Sequence, residues 1–286
     1  MNDRNELTAL IKLLDDPDYH VHDRVVNRLI ELGDPAIEAL EKQWEWSVIE
    51  NQQEKIEKVI SQIHLSKIKK EVVNWKLTGG EDLLYGAFLT ARIQYPELQY
   101  DAMNLVVDKI QREIWLELND DLTALEKIKV INYFIYTVHE FEISTKKSIT
   151  TQQFLINHCL DTHRGSAILI GLIYVEIAHR LGLPVYGVNL PGSMILCYYD
   201  EDFKEDPNSV LFYINPSDNG SVLGHDELKF FLTSVNIEPD PFYFSPCSNM
   251  HIIERLAVNL RFAYEAVKQY EKVDQLNEIL MDLKSL

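Results

Sequence analysis

The sequence predicts an α+β fold, and three observations carry that prediction. The strongly apolar segment Ser166–Leu181 has helical length and little polarity, so we expect a helix buried on nearly every side. Strand-like runs joined by short turns follow it, which is typical of an antiparallel sheet. Amphipathic helical patterns occupy most of the remaining chain. The expected architecture is therefore an antiparallel sheet packed on a buried helix and flanked by many helices.

Turn residues delimit the central helix and the strands that follow it. Arg164-Gly165 is interpreted as a turn that glycine permits, and Gly182-Leu183-Pro184 ends the helix. Alternating, β-branched and aromatic residues then predict three strands and a short extended segment. These are Val185–Asn189, Met194–Tyr199, Val210–Asn215 and Ser221–Leu223. Their connections are Pro191-Gly192, residues 200–208 and Asp218-Asn219-Gly220.

Helical periodicity covers the chain on both sides of this central part. The predicted helices include residues 6–14, 21–32, 36–64, 82–93, 100–117, 124–138, 149–160, 226–234, 250–270 and 272–283. At Gly33-Asp34-Pro35 we expect a glycine at a helix end, Asp34 as the next N-cap and Pro35 at the first helical position.

The N-terminal stretch LLDDPDYHVHDRVVNRLIELGDPAIEALE resembles one HEAT repeat. A single repeat buries its apolar face only against neighbouring elements. We therefore interpret this region either as a helical cap on the rest of the chain or as a protein-docking surface. The predicted organisation is a HEAT-like segment at 1–75, a main core at 76–249 and a C-terminal helical tail at 250–286.

Composition excludes some classes of function. The net charge is −18, from 27 Lys and Arg against 45 Asp and Glu, so the field of the protein repels a phosphate backbone and nucleic acid is not expected as a partner. The longest apolar run, Ala167–Val175, is too short to span a bilayer, and no membrane association is expected. The N-terminus lacks a signal-peptide core, and the three cysteines have unrelated spacings, which predicts a cytoplasmic protein with reduced thiols.

Residues 164–199, RGSAILIGLIYVEIAHRLGLPVYGVNLPGSMILCYY, resemble the SirB-type transglutaminase-like proteins. The segments DLLYGAFLTARIQYPELQYDA, TTQQFLINHCLDTHRG, LFYINPSDNGSVLGHDEL and HIIERLAVNLRFAYEAVKQYEK fit the same family in the same order. The resemblance covers roughly residues 81–275 and implies a papain-like core, here a degenerate one.

The resemblance also implies where a catalytic triad would lie. In the wider fold a cysteine opens the core helix, a histidine begins a following strand, and an aspartate ends the strand after it. The matching positions in this chain hold Ser166 or Ala167, Ser193 and Asn215. Serine is no general base near neutral pH, and an amide does not stabilise an imidazolium as a carboxylate does.

Three hypotheses for function follow. The first is a non-catalytic protein-interaction or regulatory module with a protein or peptide partner and no cofactor. The second is a hydrolase or acyltransferase that uses Ser166, with His163 as its base, or a displaced nucleophile. The alternative is a purely structural role, in which Ser166 caps the helix and His163 lies on a surface turn. The third is a HEAT-type scaffold whose N-terminal helices make the contact.

Four residues form the predicted binding set: Arg164, Tyr186, Asn189 and Tyr213. Arg164 is also expected to bond carbonyls or an acid, and aromatic side chains that alternate along strands place part of their number outward. No metal site is expected. Cys159 with His163 lacks further ligands, and the acids Asp218, Asp226 and Glu227 are better explained by a helix N-terminus.

Overall fold

The computed structural model describes residues 2–47, 50–144, 149–188, 190, 192–199 and 209–285. The chain divides into two compact units, Met1–Val73 and Asn74–Leu286, and the division falls within one long helix. Among the described helices, none combines the length and the apolar character that crossing a membrane requires.

The first unit is helical. Its helices are α1 (Asn2–Leu13), α2 (Tyr19–Leu32), α3 (Asp34–Trp46) and α4 (Glu50–Leu77). Asp18 caps α2 by accepting a hydrogen bond from the His20 N–H at 2.8 Å. Gly33, at φ 65°, both ends α2 and takes the N-cap position of α3, so the prediction of Asp34 as N-cap is wrong.

The predicted continuous helix 36–64 is also wrong, because α3 ends at Trp46 and α4 begins at Glu50. Leu40 and Ile56 lie in the same buried cluster. An unbroken helix with 1.5 Å rise per residue would hold these two side chains about 24 Å apart. Residues of α3 and α4 instead share one core as two separate helices. Val48 and Ile49 lie outside the described residues.

The second unit mixes helices and strands. Its helices are α5 (Leu83–Ala91), α6 (Tyr100–Trp115), α7 (Ala124–Asn132), α8 (Ile156–Thr162), α9 (Ala167–Arg180), α10 (His225–Ser234), α11 (Asn249–Ala266) and α12 (Tyr270–Lys284). Its strands are β1 (Glu142–Ile143), β2 (Arg164–Gly165), β3 (Val185–Val188), β4 (Ile195–Tyr199), β5 (Val210–Asn215) and β6 (Ser221–Leu223). The predicted helical tail 250–286 thus forms α11 and α12, two helices of this unit.

Three predicted helices are interrupted in the structure. After α7 the chain continues as a π-helical turn, Tyr133–Val138. A 3-10 turn at Thr151–Phe154 precedes α8, and at its start the Thr150 N–H donates a hydrogen bond to Gln153 Oε1 at 3.2 Å. The long C-terminal helix ends at Ala266, because Lys268 adopts a left-handed conformation at φ 61° before α12 begins.

The predicted antiparallel sheet is present, with strand order β3-β4-β5-β6. Cys197 is paired with Tyr186 on one side and with Tyr213 on the other, so these three side chains share a face. Leu228 and Leu232 of α10 belong to the same buried cluster as this face. Helix α9 packs on β3 and β4. The α+β class is therefore correct.

The interpretation of Arg164-Gly165 as a turn is wrong. These residues form β2, which pairs in parallel with β1. The left-handed residue is His163, at φ 56°. A Cβ at Gly165 would lie 2.6 Å from Cys159 Sγ, so glycine is required here for close packing and not for a turn.

Helix α9 is buried as predicted, and it carries one buried acid. Glu176 is 6% exposed. Its Oε2 accepts hydrogen bonds at 3.1 and 3.2 Å from the N–H groups of Leu83 and Leu84, the first two residues of α5. Its Oε1 accepts a 2.7 Å bond from Arg180, which also pairs with Asp108. The carboxylate therefore serves a helix N-terminus and a guanidinium together.

We predict that Glu176→Ala destabilises the second unit by about 3–5 kcal/mol, because Arg180 and two amide groups lose a buried partner. Urea unfolding followed by circular dichroism measures the change. Glu265→Ala is the matched control, since the Arg261–Glu265 pair on α11 is 3.9 Å long, its carboxylate is exposed, and such a pair contributes under about 0.5 kcal/mol. Equal, small effects of the two substitutions would contradict the structural role given to Glu176.

Candidate functional site

Ser166 takes the N-cap position of α9, and its backbone is fully used. Its N–H donates to the Gln153 carbonyl at 2.8 Å, and its carbonyl accepts from the Leu169 and Ile170 N–H groups. Its hydroxyl is different: Oγ is buried and has no hydrogen-bond partner among the residues that the structure describes. The side chain therefore does not cap the helix, and among the described residues no base lies within hydrogen-bonding distance to activate it.

The proposed base, His163, is engaged elsewhere. Its ring stacks on Phe141 with ring centroids 4.6 Å apart. A second histidine, His139, lies 6.1 Å from it between centroids and bonds Glu113 at 2.7 Å. The spacing of Glu113, on α6, and His139, just after the π-helical turn, gives no signal in the sequence that the two side chains meet.

A cleft of about 440 Å³ brings two of the triad positions together. Ser166, Ala167 and Ser193 line it, together with residues of α11 that include Arg255. The Arg255 guanidinium donates from Nη2 to the Ser193 carbonyl at 2.7 Å. Pro191, in the turn before Ser193, lies outside the described residues. Helix α11 was predicted, but no pattern in the sequence indicated that Arg255 reaches this turn.

Asn215 does not line that cleft. The register that pairs Leu196 with Ile214 puts it within a few residues of Ser193, but its side chain serves a turn. Its Oδ1 accepts from the Ser217 N–H at 2.9 Å and caps the 3-10 turn Pro216–Asp218. The third triad position is thus used for local structure.

Hydrogen bonds from partly buried side chains hold the turn that follows Asn215. Asn132 donates from Nδ2 to the Gly220 carbonyl at 2.7 Å, and the Tyr174 hydroxyl donates to Asn132 Oδ1 at 2.9 Å. Gly220 has φ 73°, and a Cβ there would lie 2.1 Å from Asn132 Oδ1. These contacts hold the end of β5 in place.

The predicted binding set is dispersed. The Arg164 guanidinium pairs with the Glu142 carboxylate at 2.5 Å on the surface. This is one of the two kinds of contact expected for Arg164, a bond to an acid. Tyr186 lines a separate groove of about 1090 Å³ with Tyr198 and Tyr199. Tyr213 is 2% exposed and its hydroxyl donates to the Phe244 carbonyl at 2.9 Å, so this side chain packs in the core cluster that the sheet shares with α10.

Asn189, the fourth member of that set, lies outside the described residues. One of the acids considered for a cation has a local role. Glu227 Oε2 accepts from the Gly224 N–H at 2.7 Å at the start of α10. Among the described residues, no group of three or more His, Cys, Asp or Glu side chains is placed to hold a metal ion.

A displaced thiol nucleophile is not supported by the described cysteines. Cys159 lies beside Gly165, two residues before α9 begins, and is completely buried. Burial raises the pKa of its thiol to about 12. Burial also raises the pKa of Cys197 well above its ordinary value and that of Cys247 to about 11. Thiolate, the reactive form, is therefore disfavoured at all three near neutral pH.

The arrangement of α9 on an antiparallel sheet agrees with the comparisons. The sequence model of the transglutaminase-like superfamily matches residues 101–258, which is more than half of the chain. The chain therefore belongs to the transglutaminase-like superfamily, which confirms the family predicted from the central segment.

Curated relatives place it beside the SirB-type members. The chain is 26% identical to Protein SirB1 of Salmonella typhimurium over 66% of its own length and 68% of that protein. It is 25% identical to a UPF0162 protein of Buchnera aphidicola over 58% of its own length, and spans 60% of that relative. It is 22% identical to a UPF0162 protein of Xylella fastidiosa over 51% of its own length, and spans 50% of that relative. No solved structure matches the chain.

We predict that Ser166→Ala leaves stability unchanged or raises it by about 1 kcal/mol, because the substitution removes a buried hydroxyl without a partner. Thr123→Ala is the matched control at another helix start. Thr123 forms a capping box with Glu126 at the start of α7, so its loss costs about 1 kcal/mol. Thermal unfolding of both variants tests this, and a larger loss for Ser166→Ala than for Thr123→Ala would contradict the environment described for Ser166.

Proposed function

We propose that this protein is a non-catalytic member of its family that binds a peptide or protein segment in the cleft between Ser166 and Ser193. The observation that carries the proposal is the Ser166 hydroxyl, which opens the core helix yet has no described base beside it. The position that resembles a nucleophile site therefore lacks the second group that nucleophilic catalysis requires.

The other triad positions support the same proposal. Ser193 contributes its backbone carbonyl to Arg255, and Asn215 caps a turn. Neither side chain can accept and return a proton near neutral pH. What these positions retain is a concave surface with polar groups at fixed places, which is a common property of binding sites.

A peptide is the occupant that suits the cleft. Its volume of about 440 Å³ is within the range of small ligand sites and accommodates a few residues of an extended segment. It is lined by apolar groups, such as Ile168 and Val258, and by charged ones, Glu254, Arg255 and Lys284. Such a mixed lining suits peptide side chains and backbone together.

The remaining expectations stay proposals. The helical first unit is proposed as a HEAT-like scaffold, supported by its stacked amphipathic helices and common core. A cytoplasmic location is proposed on the three free cysteines, which suit a reducing compartment. The catalytic alternative keeps one supporting observation, the placement of Ser166 at a helix N-terminus, where an oxyanion or thiolate would be favoured.

Selection from a displayed peptide library with the full chain tests the proposal. We expect enriched peptides that lose at least about tenfold in affinity with Ser193→Trp, because an indole fills much of the cleft. Ser234→Trp, at the exposed end of α10, is the control and should retain affinity.

Two results would contradict the proposal. One is unchanged affinity in Ser193→Trp, which would place the peptide elsewhere. The other is turnover of a bound peptide, amide or acyl substrate that Ser166→Ala abolishes, which would favour the catalytic alternative.

A further inference from the structure

Arg255 is a charged residue whose counter-ion is not in the described structure. It lies on α11, half-buried, and its side chain lines the cleft around Ser166 and Ser193. Its one described hydrogen bond goes to a neutral acceptor, the Ser193 carbonyl, at 2.7 Å. Glu254 lines the same cleft, but within the described part of the chain neither it nor any other carboxylate forms an ion pair with Arg255.

The surroundings of Arg255 make this lack of a partner costly. Burial lowers the pKa of the guanidinium, which is the direction expected when the charged form is desolvated. The Cys247 group acts in the opposite direction, but the pKa of that thiol is itself raised to about 11 by burial, so it is neutral near pH 7. Charged groups removed from water are normally paired.

The Arg255 guanidinium also has N–H donors that form no hydrogen bond with the described residues. It carries five N–H groups in a planar fork, and the Ser193 carbonyl is the one described acceptor. Lys284, also on the cleft wall, adds a second cationic group. A ligand group that accepts two parallel hydrogen bonds would complete this site.

We propose that the cleft binds the carboxylate of its peptide ligand, with the Arg255 guanidinium as the group that recognises it. This inference rests on the proposed function and names the chemistry of the ligand. A carboxylate is planar and matches the guanidinium fork. A dianionic phosphate fits less well, because Glu254 lines the same cleft and the whole chain carries a net charge of −18.

Methyl NMR of the full chain, labelled at alanine and methionine methyl groups, tests the inference. Ala167 and Met194 line the cleft, and the exposed Met281 does not, so it serves as an internal reference. Three probes are titrated: acetyl-dialanine as the free acid, the same peptide as its amide, and acetyl-glutamyl-alanine amide. The first carries a terminal carboxylate, the second none and the third a side-chain carboxylate.

We expect the cleft methyl groups to shift with at least one acid probe at an affinity about tenfold or more above that of the neutral amide. Whichever acid binds identifies the source of the carboxylate. Arg255→Gln should remove the preference, and Arg255→Lys should retain part of it, because the charge stays but the fork is lost. Arg261→Gln, on the same helix, is the control and should bind as the parent does.

Equal affinity of acid and amide probes would overturn the carboxylate inference and leave peptide binding in the cleft intact. No shift with any probe, or an acid preference that persists in Arg255→Gln, would also overturn it. The proposed function is decided separately, by the effect of Ser193→Trp on library-selected peptides. The two failures are therefore distinguishable.

Discussion

The buried carboxylate of Glu176 is the interaction on which the second unit depends. It lies in the middle of an otherwise apolar helix, where an unpaired charge would be strongly unfavourable. Arg180 and the first amide groups of α5 satisfy it, so three helices are joined at one point: α9, α5 and, through Asp108, α6. With α9 held in this way, its other end presents Ser166 and Ala167 to the cleft.

Much of this architecture could be predicted because it follows from local patterns. The apolar run after Ser166 predicts α9, and the alternating segments with short turns predict the antiparallel sheet. The position of Ser166 at a helix start was also predictable, since the preceding residues break helical periodicity. The ends of α3 near Ser47 and of α11 at Ala266 could not be predicted, because they depend on how helices that are distant in sequence pack into one core.

The contacts that define the site could not be predicted either, because they join residues that are far apart in the sequence. Glu176 and Leu83 are 93 residues apart, and Arg255 and Ser193 are 62 apart. Tyr213 was predicted as a binding residue from alternation alone, but its side chain lies in a buried cluster with residues of α10, so alternation does not distinguish a partner surface from the core. Spacing gives the face of a strand and not what packs on it.

Two of the three triad positions keep their placement, and we propose a different use for them. Ser166 and Ser193 still meet in one cleft, while Asn215 has a structural task at the end of β5. In the proposed function, a desolvated arginine in that cleft supplies recognition where a nucleophile and base would supply chemistry. The most direct measurement is mass-spectrometric detection of labelling by a fluorophosphonate, with an active serine hydrolase in parallel. The account predicts no adduct on Ser166 near neutral pH, and stoichiometric modification of Ser166 would contradict it.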